Sequence, residues 1–157
     1  RLVEAVREHM AEGSAMVLYA SNSTYFPKPA DAEAAFTAPL PPGGSAELLH
    51  LAPASQLAYP LSKMGVRALV KREAKSFGEK GVRLISVSPG AIDTPMTKAE
   101  IPASKEAQAM IRNSAVGRIG RPEELEAVSV FICSPDASLC AATDWLVDGG
   151  QTAAAGF

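Results

Sequence analysis

Apolar positions along this chain follow two spacings. Leu2, Val3, Val6 and Met10 recur every three or four residues, which predicts a helix over 1–11, ended by Glu12-Gly13. Ala15-Met16-Val17-Leu18-Tyr19-Ala20 is instead a continuous apolar run of strand length, the mark of a strand buried on both faces, and Ser21-Asn22-Ser23-Thr24 breaks it. Leu61, Met64, Ala68 and Leu69 share a helical face. A helix is therefore expected over 60–80, with Pro60 in its first turn and Gly81 as its stop. Because the residue before a proline is biased away from helical geometry, Tyr59 is expected at the cap. Val82-Arg83-Leu84-Ile85-Ser86-Val87 predicts a second buried strand, followed by a Pro89-Gly90 turn. Residues 122–133 read as a helix with Pro122, Glu123 and Glu124 in its first turn. Residues 139–147 lead into a third strand, Asp148-Gly149-Gly150 turns out of it, and 151–157 form a small apolar tail.

Two stretches interrupt this rhythm. Residues 26–54 are punctuated by Pro27, Pro29, Pro39, Pro41, Pro42, Pro53 and Gly43-Gly44. They read as an excursion from the core with little regular structure beyond short helices at 31–37 and 45–51. Residues 96–116 are mixed in character and are expected to be a mobile lid that orders over a substrate. No internal repeat is present.

Strand, helix, strand, helix, strand means crossover connections, hence an α/β fold with a parallel sheet. Three strands leave 15–20 with an unpaired apolar edge, which natural folds cover. The chain also opens inside a helical pattern without an initiator Met. Both features are expected of a partial sequence with more sheet on its N-terminal side.

Composition narrows the function classes. With 157 residues, 47% apolar and 20% charged, a packed core is in reach. A formal charge of −2 with dispersed Lys and Arg argues against nucleic acid. Apolar runs fall far short of the roughly 20 residues that cross a bilayer, so no membrane partner is expected. Cys133 and Cys140 match no metal or redox spacing and are expected as reduced, buried thiols, which points to a cytoplasmic location. His9 and His50 lack carboxylate companions at ligand spacing, so no metal is expected and both read as surface residues.

Tyr59 and Lys63 carry the candidate chemistry. Four residues apart, they meet on one helical face, and helical side chains lean toward the N-terminus, so Lys63 leans toward Tyr59. A free phenol titrates near pH 10, and acid–base work near neutrality requires lowering that by about 3 units, or roughly 4 kcal/mol. An ammonium about 5 Å away supplies on the order of 3 kcal/mol at an effective dielectric near 20. A helix N-terminus adds about 0.3–1 kcal/mol.

The surroundings make this pair specific. Ala58-Tyr59-Pro60-Leu61-Ser62-Lys63, then the run from Val82 through Ser88-Pro89-Gly90-Ala91-Ile92-Asp93-Thr94-Pro95-Met96, Gly117-Arg118-Ile119-Gly120-Arg121-Pro122-Glu123-Glu124, and Val147-Asp148-Gly149-Gly150 occur in this order. Together they resemble the second half of the short-chain dehydrogenase/reductase family, over about residues 1–25 and 54–151. The resemblance implies the C-terminal part of a Rossmann-like doubly wound parallel sheet, with the N-terminal half missing. It implies an NAD(P)-dependent oxidoreductase that interconverts a small-molecule carbonyl and a secondary alcohol by hydride transfer, with NAD or NADP as cofactor, and a homo-oligomer when full length. Tyr59 would exchange the proton, and Lys63 would make the phenol more acidic and bind the nicotinamide ribose. Ser21 matches the serine that holds the substrate oxygen, with Ser23 as its rival. Pro89-Gly90 would let the backbone approach the nicotinamide, the Ile92 backbone would meet the carboxamide, and the Thr94 hydroxyl would reach the carboxamide or pyrophosphate. Taken alone, the turn at 89–90 is ordinary, and Ser21 and Thr94 are cap residues.

Several features depart from the family. The glycine-rich pyrophosphate loop is absent, and Gly43-Gly44 is no substitute, since it does not lie between a strand and a helix. Tyr59 stands 38 positions after Ser21, a long gap that holds the proline-rich excursion. Here the chain is similar to bacterial 3α-hydroxysteroid dehydrogenase/carbonyl reductase members, whose insertion obstructs the usual helix-to-helix dimer. Ala142 replaces a common glycine and is expected only to tighten packing. Arg67, Lys71, Arg72 and Lys75 form a basic helix face, read as solvated rather than as a dock for an acidic carrier. A non-catalytic fragment acting as a binding module is the alternative. A serine hydrolase lacks its Gly-x-Ser-x-Gly elbow.

Overall fold

The computed structural model of the chain describes residues 2–27, 32–37 and 55–157. Among them, β1 (Ala15–Tyr19), β2 (Arg83–Pro89) and β3 (Asp144–Val147) form one parallel sheet in the order β1-β2-β3. Tyr19 lies beside Val87, and Val87 beside Trp145. Parallel neighbours need crossovers, and helices supply them. The chain passes through α3 (Ser55–Gly78) between β1 and β2, and through α4 (Pro95–Glu100), α5 (Lys105–Asn113) and α6 (Pro122–Cys133) between β2 and β3.

Alternate strand residues feed two cores. Leu84 packs with Val70 and Phe77 of α3, joined by Met16, Leu18 and Val3 of α1 (Leu2–Arg7). Ile85 and Val87 face the other way and pack with Ile132 of α6, Val17 and Val147. Helices on both faces of a parallel sheet are the expected α/β architecture. Central β2 is buried along its interior. β1 is not buried on both faces as its apolar run predicts: it is half-buried and Tyr19 is 45% exposed. No described strand lies beyond it, so its outer edge stays open.

Other expectations shift in detail. The first helix closes at Arg7, and Gly13, at φ +84°, makes the turn into β1. α3 begins at Ser55, so Tyr59 lies inside the helix rather than at its cap, and Pro60 is its sixth residue. Pro60 lies just past the four leading N–H groups that lack a helical acceptor, so it forfeits one intrahelical bond close to the start of the helix. The segment after Pro89 is largely helical rather than mixed, because hydroxyl caps start its helices. Thr94 Oγ1 accepts from the Thr97 N–H at 3.4 Å, and Ser104 Oγ accepts from the Ala107 N–H at 3.1 Å.

The tail begins as α7 (Gln151–Ala154), with Gln151 and Thr152 buried. Helix α2 (Ala32–Thr37) seats Ala32 and Phe36 on Leu61 and Met64 of α3. The helix expected at 45–51, Gly43-Gly44 and His50 lie outside the described residues. Cys133 is exposed and Cys140 half-buried, both as free thiols. On α6 Ile132 takes the core position, and the next residue points about 100° away from it. His9 is exposed. Among the described residues no helix is long and apolar enough to cross a membrane, and no group of metal-ligating side chains could hold an ion.

Candidate active site

A cleft of about 1080 Å³ opens at the carboxyl ends of β1 and β2. This is where open parallel sheets receive ligands, because the crossovers leave a crevice there. Ser21, Tyr59, Pro89, Gly90, Ile92 and Thr94 all line it, and so does Ser23. Lys63 is not part of the lining. Its ammonium stands 5.7 Å from the centre of the Tyr59 ring and donates to the Tyr19 carbonyl at 3.0 Å.

That carbonyl is available for a geometric reason. The ladder to β2 uses the Ser14 carbonyl, which accepts from the Arg83 N–H at 3.0 Å, and the Ala20 N–H, which donates to the Val87 carbonyl at 2.7 Å. Peptide groups alternate sides along a parallel strand, so those of Tyr19 face the open edge. Lys63 satisfies one of them. The Tyr19 hydroxyl pairs with Ser129 Oγ of α6 at 2.7 Å.

Beyond β1 the chain bends into a short 3-10 turn over Asn22–Tyr25. Ser21 caps it in extended conformation, its Oγ accepting from the Ser23 N–H at 3.1 Å. A hydroxyl that accepts in this way keeps its own hydrogen for donation. Ser23 Oγ is buried, with no hydrogen-bond partner among the described residues.

The far wall starts at Pro89-Gly90. A Cβ on Gly90 would stand 2.6 Å from Gln151 Oε1 and 2.8 Å from Asp148 Cα, so the contact that demands glycine comes from the fold itself. Gln151, 1% exposed, accepts from the Ala91 N–H at 2.9 Å. Asp148 accepts from the N–H groups of Gly150 and Thr152 at 2.9 and 2.8 Å and shapes the turn that carries Gln151. Burial pushes the Asp148 carboxyl up, but the bonds from the N–H groups of Thr152 and Gly150 outweigh it and hold it below the ordinary carboxylate range. Next, the Ala91 carbonyl and the Asp93 N–H bond Gly120 across an isolated parallel bridge. By the same alternation the Ile92 peptide groups face away from Gly120. The Ile92 carbonyl accepts from Thr97 Oγ1, and Thr94 caps α4.

Sequence reasoning missed a buried polar cluster beside this site. Arg67, one turn beyond Lys63, leaves the basic face assigned to it and turns under the 3-10 turn. Its guanidinium lies 4.2 Å from the Tyr25 ring centre and its Nη1 donates to Thr24 Oγ1 at 3.0 Å. The Tyr25 hydroxyl donates to Asp144 Oδ2 at 2.7 Å. Burial first, and then the Asp144 carboxylate, push the Tyr25 phenol up to about 12, so it remains a donor. No periodicity signals this cluster. Gln151, directly after a Gly-Gly turn, gave no signal either.

The family model described as enoyl-(acyl carrier protein) reductase matches residues 45–152. Cyclohexanol dehydrogenase from Acinetobacter sp. is 38% identical over 94 residues, covering 60% of this chain and 36% of the relative. The 3beta-hydroxysteroid dehydrogenase 1 of Eggerthella lenta is 38% identical over 100 residues, 63% of this chain and 38% of that protein. The chain thus spans less than half the length of these curated relatives. The crystal structure of a 3-alpha-hydroxysteroid dehydrogenase from a Pseudomonas species, complexed with NADH, superposes with a TM-score of 0.78 at 29% identity, covering 97% of this chain and 61% of that one. With the parallel sheet, the cleft at its carboxyl end and these likenesses together, the chain belongs to the short-chain dehydrogenase/reductase family.

Proposed function

We propose that this chain carries the proton-transfer and substrate-binding half of an NAD(P)-dependent oxidoreductase that interconverts a carbonyl and a secondary alcohol. The observation that carries the reading is the convergence of Tyr59 and Ser21 on one cleft with Lys63 beside the Tyr59 ring.

The residues present fit the nicotinamide end of a dinucleotide. The cleft has the volume for it, Pro89 and Gly90 form one wall, and the Ile92 peptide faces away from its bridge to Gly120. Ile92 and Thr94 would hold the carboxamide, and Lys63 and Tyr59 the ribose. The bound dinucleotide supplies or accepts the hydride. In the reducing direction the Tyr59 hydroxyl gives its proton to the carbonyl oxygen, and Lys63 balances the charge left on the phenolate. The Ser21 hydroxyl, its lone pair already engaged by the Ser23 N–H, donates to the same oxygen and holds it at Tyr59. Oxidation of the alcohol runs the same exchange in reverse.

The outer wall is apolar. Met96, Ile101 and Met110 from the segment after Thr94 face Leu125 and Val130 of α6. This segment serves as the substrate lid, and such walls suit an alicyclic or steroid-like substrate, as the names of the relatives do. The test is NAD(P)H consumption by the full-length protein against a panel of alicyclic ketones. Tyr59→Phe is expected to cut turnover at least about 100-fold while dinucleotide binding holds. Undiminished turnover in that variant would sink the mechanism.

A further inference from the structure

We propose that Arg67 is a positioning residue that, clamped by Asp144 and Tyr25, holds the 3-10 turn in place and so aims Ser21 at the substrate oxygen. This rests on the role given to Ser21 above.

Two bonds run in series to the main chain of Ser21. Arg67 Nη1 donates to Thr24 Oγ1 at 3.0 Å, and Thr24 Oγ1 passes its own hydrogen to the Ser21 carbonyl at 2.8 Å. A separate bond, from the Ser23 N–H to Ser21 Oγ, closes the same turn. Thr24 Oγ1 accepts from Arg67 and donates to Ser21, so these two bonds run in one direction, and the charge at their head strengthens them.

Arg67 is itself fixed from below. Its Nε lies 3.5 Å from Asp144 Oδ2, the same oxygen that takes the Tyr25 hydroxyl, and the Tyr25 ring covers its guanidinium. The other carboxylate oxygen, Asp144 Oδ1, accepts from Ser86 Oγ at 2.5 Å in the middle of β2. The Asp144 side chain is 8% exposed. The turn bearing Ser21 is therefore tied to β2, to β3 and to α3, the helix that carries Tyr59 and Lys63. A lysine could not fill this place, because the planar guanidinium stacks on Tyr25, donates to Thr24 and stands as an ion pair beside Asp144 at once.

A buried ion pair with a purely structural role would also lower stability when cut, so the test must read coupling to Ser21. Arg67→Met, Ser21→Ala and the double variant are compared in the full-length protein by kcat, KM and dinucleotide binding. Arg67→Met should lower kcat about ten- to a hundredfold, as misplacement of a reacting group does, with dinucleotide affinity held. In the Ser21→Ala background the same substitution should change kcat less than about twofold. Equal losses in both backgrounds overturn the clamp and leave the role of Ser21 standing. An unchanged kcat in Ser21→Ala overturns both. Should Arg67→Met not fold, Tyr25→Phe enters the same cycle, since it deletes the bond to Asp144 and keeps the ring under Arg67.

Discussion

Lys63 reaches from α3 to the outer edge of β1 and gives its ammonium to the main-chain carbonyl of Tyr19 at 3.0 Å. The four-residue offset brings Lys63 near Tyr59, but the strand carbonyl decides where the charge rests. Lys63→Met should therefore lose both the charge and the tie, lowering kcat about 100- to 1,000-fold. Lys63→Arg should recover little, since a planar fork cannot reproduce a point donor. Steady-state kinetics with melting curves separate this from unfolding. A Lys63→Met variant within twofold of the parent would count against the assignment.

The two serines of the cleft are distinguishable. Ser21→Ala removes a donor and a cap, and is expected to lower kcat about 100-fold and stability by about 1 kcal/mol. Ser23→Ala removes a hydroxyl that bonds nothing among the described residues and should change neither appreciably. The reverse pattern would transfer the role to Ser23.

The lid assignment separates KM from cofactor binding. Ile101→Ala with Met110→Ala strips apolar area from the wall above the substrate. With about 0.8 kcal/mol per buried methylene at stake, KM for an apolar ketone should rise about tenfold or more. The dissociation constant of NAD(P)H, measured by fluorescence titration, should hold. Equal losses in both constants would reject the lid.

Ala142 occupies the left-handed region at φ 57°, where a side chain is strained. The substitution at this place does more than tighten packing. Ala142→Gly should relieve the strain and raise stability by about 0.5–1 kcal/mol, against the greater freedom glycine gains when unfolded. Scanning fluorimetry should show an increase of roughly 1–4 °C, and a decrease would mean the strain is absorbed elsewhere.

Acid should loosen the turn behind the cleft. Asp148 has a folded value below its unfolded one, so its contribution is complete above about pH 4 and is lost as pH falls through the lower folded value. Asp148→Ala should melt below the parent at pH 7, and the gap should narrow below about pH 4. Glu124, lowered to about 2 by Arg118 and by the Arg121 N–H, acts in the same direction, but it is exposed and its share should fade with salt. A gap that stays constant down to pH 3 would reject this origin.

Much of the fold can be read from spacing. The helix over Pro122–Cys133 lies where its apolar face and Pro122 place it, and β2 is buried in its interior because the residues after Arg83 are all apolar or small. Tyr59 and Lys63 follow from one offset and the motif around them. What spacing hides is contact between distant elements. The Arg67–Asp144 pair joins residues 77 positions apart, and Arg67 reads as one more surface charge until the 3-10 turn is seen above it. Gly90 lines the cleft, but spacing does not show that a side chain there would collide with Asp148 and Gln151. β1 reads as fully buried, because an apolar run records what a strand can bury and not what lies beside it.

Tyr19 touches both helical layers. Its main chain holds Lys63 of α3 on one side, and its hydroxyl holds Ser129 of α6 on the other. The outer wall of the cleft and the Lys63–Tyr59 pair therefore share one residue of β1 as their common anchor.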